Sequence, residues 1–291
     1  MTIVYAFVNT IREEYPLQQI CKVLQINRSC FYEWNNKNSY QLKAKNSIME
    51  HKVIAVFKEN KRRYGVRRIV AALGHQSVQV SPYKVRKYLC RNGLKAIQPR
   101  SFVPKTTNSR HPYMISPNLL RDIAFPEAIN QVWVGDITYI PMAEGKFHYL
   151  SVWMDLCSRK IVGWDLQDHM RESLVTASLN KALKARMVSP GLMIHSDRGG
   201  QYAGTKFRAI LEGRTLTQSM SDADNPYDNA HMESFFSRFK AELMEGGAFQ
   251  DAEDSRSEIF EYIEMYYNPS RLHSSIGYLS PDNFENHLSL T

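Results

Sequence analysis

The chain holds 291 residues, 43% of them hydrophobic; that length suits two or three compact units, and that apolar content excludes a wholly disordered chain. Its formal charge of +8 is unevenly placed, +16 over residues 1–120 and −8 over residues 121–291, so the front half suits a polyanion, nucleic acid first and an anionic membrane second. No apolar run is long enough to span a bilayer, and the start "TIVYAFV" lacks the basic flank and length of a signal peptide, which makes a soluble cytoplasmic protein the default expectation.

In chain order, residues 16–35 carry the pattern of a helix-turn-helix. Leu17, Ile20, Cys21 and Leu24 mark the inner face of a first helix, and Phe31 and Trp34 that of a second. A plain helical hairpin fits this segment equally well. Residues 46–97 predict a second helical unit. Ile48, Val53, Ile54 and Phe57 line one helix, "RYGVRRIVAAL" begins another, and "SPYKVRKYLCRNGL" a third. Ser81 suits the N-cap of that third helix, Pro82 its first position and Gly93 its end, with Val85, Tyr88 and Leu89 facing inward. Its remaining charges, Lys84, Arg86, Lys87 and Arg91, all have one sign, which favours DNA contact over a merely solvated face. Residues 98–125 are proline-containing and without periodicity, and read as an extended basic linker.

From Pro126 the character becomes α/β. "QVWVGDITYIPM" predicts a buried strand, and "KFHYLSVWMDLCSRKIVGWDL" two more joined by a polar turn at 155–160. A helix follows over 171–187, with Leu174, Ala177, Leu183 and Met187 as its apolar residues. Next come a short strand in "GLMIHSD", a helix at 206–211, a strand near "LTQSMS" and a helix in "NPYDNAHMESFFSRFKAEL". The four cysteines, Cys21, Cys30, Cys90 and Cys157, show neither metal-ligand nor redox spacing and read as reduced thiols.

Three acids stand where these strands and helices end. Asp136 interrupts an otherwise apolar strand, where a carboxylate is costly unless paired or bound to a cation. Asp197 closes "MIHSD", with Gly199 and Gly200 behind it to turn the chain away. On the last of these helices Met232, Phe236, Phe239 and Leu243 share one side; Glu233, Ser237 and Lys240 share the adjacent one. Taken singly, Asp197 reads as a turn cap and Glu233 as a solvated helix residue. Asp155, also at a strand end, is assigned to the turn before "SRK". Asp228 or Asn229 is expected to cap the Glu233 helix and Tyr227 to stack on a base, with Asn225 in the same turn.

Thirty-five residues separate Asp197 from Glu233, and Lys240 follows two helical turns later. This is the pattern of the D-D-E polynucleotidyl transferases, which include retroviral integrases and many bacterial transposases. More closely, the chain resembles the second-reading-frame (OrfB) transposases of the insertion-sequence-three family. The resemblance rests on "QVWVGDITYI", "MDLCSRKIVGW", "IHSDRGGQY", "YDNAHMESFFSRFKAEL", "YYNPSRLHSSIGYLSP" and "RRYGVRRI", and covers nearly the whole chain. It implies an RNase-H-like integrase core at 126–247. Before the core would come a helix-turn-helix at 1–45, a second helical unit at 46–97 and the linker at 98–125; after it, a helical extension at 248–291.

The resemblance also implies chemistry. Asp136, Asp197 and Glu233 would hold two Mg²⁺ ions, with Mn²⁺ as a substitute, because carboxylates suit hard cations and paired ions serve phosphoryl chemistry. Water would free a 3′ hydroxyl at an element end, and that hydroxyl would attack a second phosphodiester, leading to a circular intermediate. Lys240, Arg28, Arg62, Arg63, Arg67, Arg68, Lys84, Lys87 and Arg91 are the DNA-contact candidates. Partners would be terminal inverted repeats and target DNA, further copies of the chain, and an upstream-frame protein joined by frameshifting. The expected setting is the bacterial nucleoid. The rival reading is a DNA-binding regulator or assembly subunit without catalysis. A retroviral-type integrase lacks support, because the His/Cys zinc module is missing from the front of the chain.

Overall fold

The computed structural model describes residues 2–36, 44–99, 112–222, 229–245 and 247–289. Three short helices come first: α1 (Thr2–Ile11), α2 (Leu17–Val23) and α3 (Arg28–Asn35). They close on Tyr5, Val8, Ile20 and Phe31, and the Asn27 side chain caps α3 by accepting from Ser29 N at 2.8 Å. The hairpin expected at 16–35 is therefore present, with α1 as a third helix packed on it.

The second unit comprises α4 (Ala44–Glu59), α5 (Val66–His75) and α6 (Pro82–Arg91). The Ser81 hydroxyl accepts from Lys84 N, Pro82 opens α6, and Gly93 leaves it with φ at +65°, as the local sequence dictates. Val53, Phe57, Ile69, Leu73, Val85, Tyr88 and Leu89 form the core. Ile48 does not join them. It is 58% exposed, because the buried stripe of α4 runs through Val53, Val56 and Phe57.

A five-stranded sheet follows, ordered β3-β2-β1-β4-β5. Its strands are β1 (Val132–Pro141), β2 (Phe147–Asp155), β3 (Ile161–Gln167), β4 (Met193–Ser196) and β5 (Thr217–Met220). β1, β2 and β3 form an antiparallel meander, while β4 and β5 run parallel to β1. This mixed sheet, flanked by helices, is the α/β arrangement of an RNase-H-like integrase core.

Both faces of the sheet are covered, so β1 is apolar on successive residues rather than alternate ones. Trp133 and Trp153 pack beneath α7 (Glu172–Ala185) and α8 (Thr205–Glu212). Val132, Val134, Val152 and Met154 pack on the opposite face beneath α9 (Ala230–Phe239). α7 ends at Ala185, so Met187, expected on its apolar side, is 98% exposed.

α9 widens into a π-helical turn at Lys240–Met244. Beyond it lie α10 (Ala252–Phe260), which continues π-helically over Glu261–Tyr267, α11 (Asn268–Ser270) and α12 (Pro281–Leu288). Ile259, Tyr262, Ile263 and Tyr267 from this region share one core with β1, β2 and α9. The expected extension is thus part of the core. The second half of the expected linker is also docked: Leu119 N donates to Ser219 Oγ at 2.9 Å and Met220 N to Pro117 O at 3.3 Å. That segment supplies partners to the polar edge of β5. Its first half, 100–111, lies outside the described residues.

Candidate active site

Strand pairing decides where Asp136 faces. It sits opposite Val152 on β2, and paired residues share a face, so Asp136 projects on the side covered by α9. Asp197 follows the end of β4, the strand parallel to β1. Its Oδ1 accepts from Gly199 N at 3.0 Å. Gly199 lets the chain pass close to these side chains: a Cβ there would fall 3.0 Å from that oxygen and 2.8 Å from Gln201 Oε1, the mobile end of a side chain. Glu233 lies exposed in the first turn of α9, while Met232, Phe235, Phe236 and Phe239 bury the helix's other side.

Electrostatics tie these residues together. Burial, the Asp197 carboxylate and Glu233 push the Asp136 carboxyl well above its usual range; a hydrogen bond from Ile137 N and the Lys240 ammonium oppose them. Lys240, half-buried, is itself lowered by burial and held up by Asp136. Three acids and one ammonium therefore share one field, drawn from β1, the end of β4 and both ends of α9.

Among the described residues, no three acidic or histidine side chains close tightly enough to grip one ion. Uncompensated carboxylates repel, and Asp136 turns Oδ1 onto Ile137 N at 2.7 Å just as Asp197 turns its own onto Gly199 N. The donor set is nonetheless all oxygen and all anionic, which fits a hard divalent cation. Asp155 is excluded from it. Its Oδ1 accepts from Cys157 N and Ser158 N at 3.0 and 3.1 Å, and its Oδ2 from Asn130 N at 2.6 Å, so it organises the turn as expected.

Comparison with known proteins shows the family. Residues 126–226 match the model of an integrase core domain, residues 233–288 a second integrase core domain model, and residues 43–102 an HTH-like domain. The transposase for insertion sequence element IS904 of Lactococcus lactis subsp. lactis (strain IL1403) is 40% identical over 242 residues, covering 83% of this chain and 95% of its own. Transposase InsF for insertion sequence IS3A of Escherichia coli (strain K12) is 36% identical over 285 residues, covering 97% and 98%. The chain belongs to the IS3 family of insertion-sequence transposases. Among solved structures, the HTLV-2 integrase catalytic core domain in complex with magnesium (trimeric form) aligns at 12% identity with a TM-score of 0.40, over 54% of this chain and 96% of that one.

In this transposase the DNA-contact candidates divide into two groups. Arg28, Arg67, Lys84, Lys87 and Arg91 are exposed, Arg91 lying 3.6 Å from Glu50. Arg62, Arg63 and Arg68 are instead drawn toward the C-terminal region. Arg62 pairs with Glu245 at 3.2 Å, Arg63 lies 4.2 Å over the Tyr266 ring, and Arg68 Nε donates to Leu272 O at 2.8 Å. The electron-rich ring faces and an open carbonyl of that region attract guanidinium groups, which removes Arg63 and Arg68 from a free surface.

Asn229 precedes α9 without capping it. Its Nδ2 donates to Gly135 O at 3.4 Å, tying the helix to β1 beside Asp136. Asn225, Tyr227 and Asp228 lie outside the described residues. Sequence reasoning missed Tyr202, which is buried and close enough to Asp197 and Asp136 for both to raise its phenol further. Its place in "RGGQY" after Asp197 was the available signal. It also missed the buried Glu242–Arg271 pair, whose partners carry no local pattern.

Proposed function

We propose that this transposase cuts and rejoins DNA at the ends of an insertion sequence through Asp136, Asp197 and Glu233. One observation carries the reading: Asp136 on the central strand is flanked by Asp197 and Glu233, with Lys240 opposing them from the helix that bears Glu233. Asp136, Asp197 and Glu233 would hold two divalent ions, Mg²⁺ first and Mn²⁺ as a substitute. When bound, such ions polarise a phosphodiester and lower the pKa of an attacking water or hydroxyl. Lys240 orients a phosphate from the same face, and the apolar bed of Met232, Phe236 and Phe239 fixes the helix that aims Glu233. A first attack by water frees a 3′ hydroxyl at the element end; that hydroxyl then displaces a second phosphodiester.

Exposed Lys84, Lys87 and Arg67 in the HTH-like unit suit the terminal repeats. Two ends must be held together, so copies of the chain would assemble on DNA, with an upstream-frame protein as a further partner. No helix among the described residues is long and apolar enough to cross a membrane; the working place would be nucleoid DNA in the bacterial cytoplasm.

The test uses the full chain and a duplex bearing the element's terminal repeats, with Mg²⁺. Asp136→Asn, Asp197→Asn and Glu233→Gln should each lower cleavage and joining by about 10²–10³-fold or more while retaining the fold. Folded variants that retain full activity would sink the assignment and favour the non-catalytic regulator.

A further inference from the structure

Among the described residues two arginines are buried, Arg271 at 1% exposed and Arg159 at 9%. Arg271 is matched: its guanidinium donates to both carboxylate oxygens of Glu242 and to the Tyr266 hydroxyl. Arg159, in the turn between β2 and β3, has no such match. Among the described residues its guanidinium makes no ion pair and no hydrogen bond, and Nη1 is wholly enclosed without a partner; Tyr267 and Asp155 act on it only through space. Asp155, the nearest acid in sequence, is committed to three backbone N–H groups.

The conformation of Arg159 is unusual as well, with φ at +65°, a region that disfavours side chains with a Cβ. A buried, unpaired charge on a left-handed residue is unfavourable twice over, which in folded proteins points to a function. Its surroundings describe a binding seat. The Phe125 ring lies 5.2 Å from the guanidinium carbon and is 54% exposed. His231, in the first turn of α9, meets the edge of that ring at 6.2 Å. The Asn229 side chain does not cap that turn of α9, and N–H groups at a helix start favour an anion.

We propose that Arg159, roofed by Phe125 and flanked by His231, seats one phosphate of the DNA strand at the N-terminal end of α9. A guanidinium is a strong charge-assisted donor to a phosphate oxygen, and an exposed ring beside it offers a face for the neighbouring base. The proposal rests on the transposase reading, since that reading supplies DNA as the source of the phosphate. It assigns Arg159 and Phe125 to holding the strand, not to the chemical step.

The experiment measures binding by the full chain, in EDTA, of a fluorescent duplex carrying the element's terminal repeat, at several salt concentrations. Arg159→Gln should weaken binding about tenfold and reduce the slope of log K against log salt by about 0.9. Arg159→Lys should keep the slope and lose part of the affinity. Replacing single phosphates by methylphosphonates should reveal one position that matters to the wild type and is silent in Arg159→Gln. Arg159→Met should melt no lower than the wild type, because it removes an unpaired buried charge.

An unchanged slope and an unchanged methylphosphonate profile in Arg159→Gln overturn the proposal. So does a lower Tm of Arg159→Met with all phosphate positions weakened alike, which marks a structural arginine. A changed association state without changed DNA binding overturns it too, and places a carboxylate of a second copy on Arg159. A wild type that binds no terminal duplex removes the proposal together with its DNA partner. Loss or retention of activity in the Asp136, Asp197 and Glu233 variants reports separately on the catalytic reading.

Discussion

Asp136 carries a charge that its surroundings resist. Its carboxyl binds a proton more tightly in the fold than in the unfolded chain, chiefly through burial and Asp197, so stability is greatest below the unfolded pKa and falls as pH rises through the folded one. Asp136→Asn should therefore stabilise the metal-free protein at pH 7, seen as a rise in Tm. Added Mg²⁺ should raise the Tm of the wild type but not of the variant, and differential scanning fluorimetry checks both. His273 behaves oppositely. Burial, with the Arg271, Arg68 and Arg159 guanidiniums around it and the Tyr267 ring against it, pushes its imidazole down to about 3. The fold holds it neutral, so stability is complete above the unfolded value of about 6.5 and declines as pH falls toward 3. The loss should approach 1.4 kcal/mol per pH unit, and His273→Gln should flatten that slope in urea titrations between pH 7 and 5.

At the scale of elements, β1 is sited by what it lacks as much as by what it carries. A Cβ on Gly135 would fall 2.2 Å from the ring of Trp153, which is fully buried and cannot yield. Gly135→Ala should cost about 3 kcal/mol, and urea unfolding would show a lower midpoint with an unchanged m-value. The elements legible in the sequence were those with strong local chemistry. β-branched and aromatic runs marked β1, β2 and β3, and Ser81, Pro82 and Gly93 bracketed α6. α1 went unread, since "TIVYAFVNTI" has no charge, cap or breaker to distinguish a helix from a strand. The spacing of Asp136, Asp197 and Glu233 was visible because three separate words of sequence pointed to it. Arg159 stood within a fourth, "MDLCSRKIVGW", and was read as part of a turn. Its distinction is a missing partner, which only packing reveals.

At the scale of the whole molecule, the helical unit of α4–α6 is fastened to the far end of the chain. Tyr64 Oη donates to Ser270 O and accepts from Leu272 N, both at 3.0 Å, and Leu272 enters the core of that unit. Arg63 and Arg68 close over the same junction. Tyr64→Phe would leave a buried N–H and a carbonyl without partners, a loss of about 2 kcal/mol. Calorimetry should show one transition in the wild type and an earlier, separate melting of residues 44–99 in the variant. No local pattern foretold this junction, because its two sides lie some 200 residues apart. On the proposed reading α4–α6 recognises the terminal repeat and the Asp136 site cuts beside it, and an arm fastened in this way would act as a fixed gauge. Each base pair inserted between the recognised repeat and the cleaved bond turns that bond by about a tenth of a turn around the duplex. A gauge that does not flex cannot follow it, so the interval in the DNA and the junction at Tyr64 would have to change together.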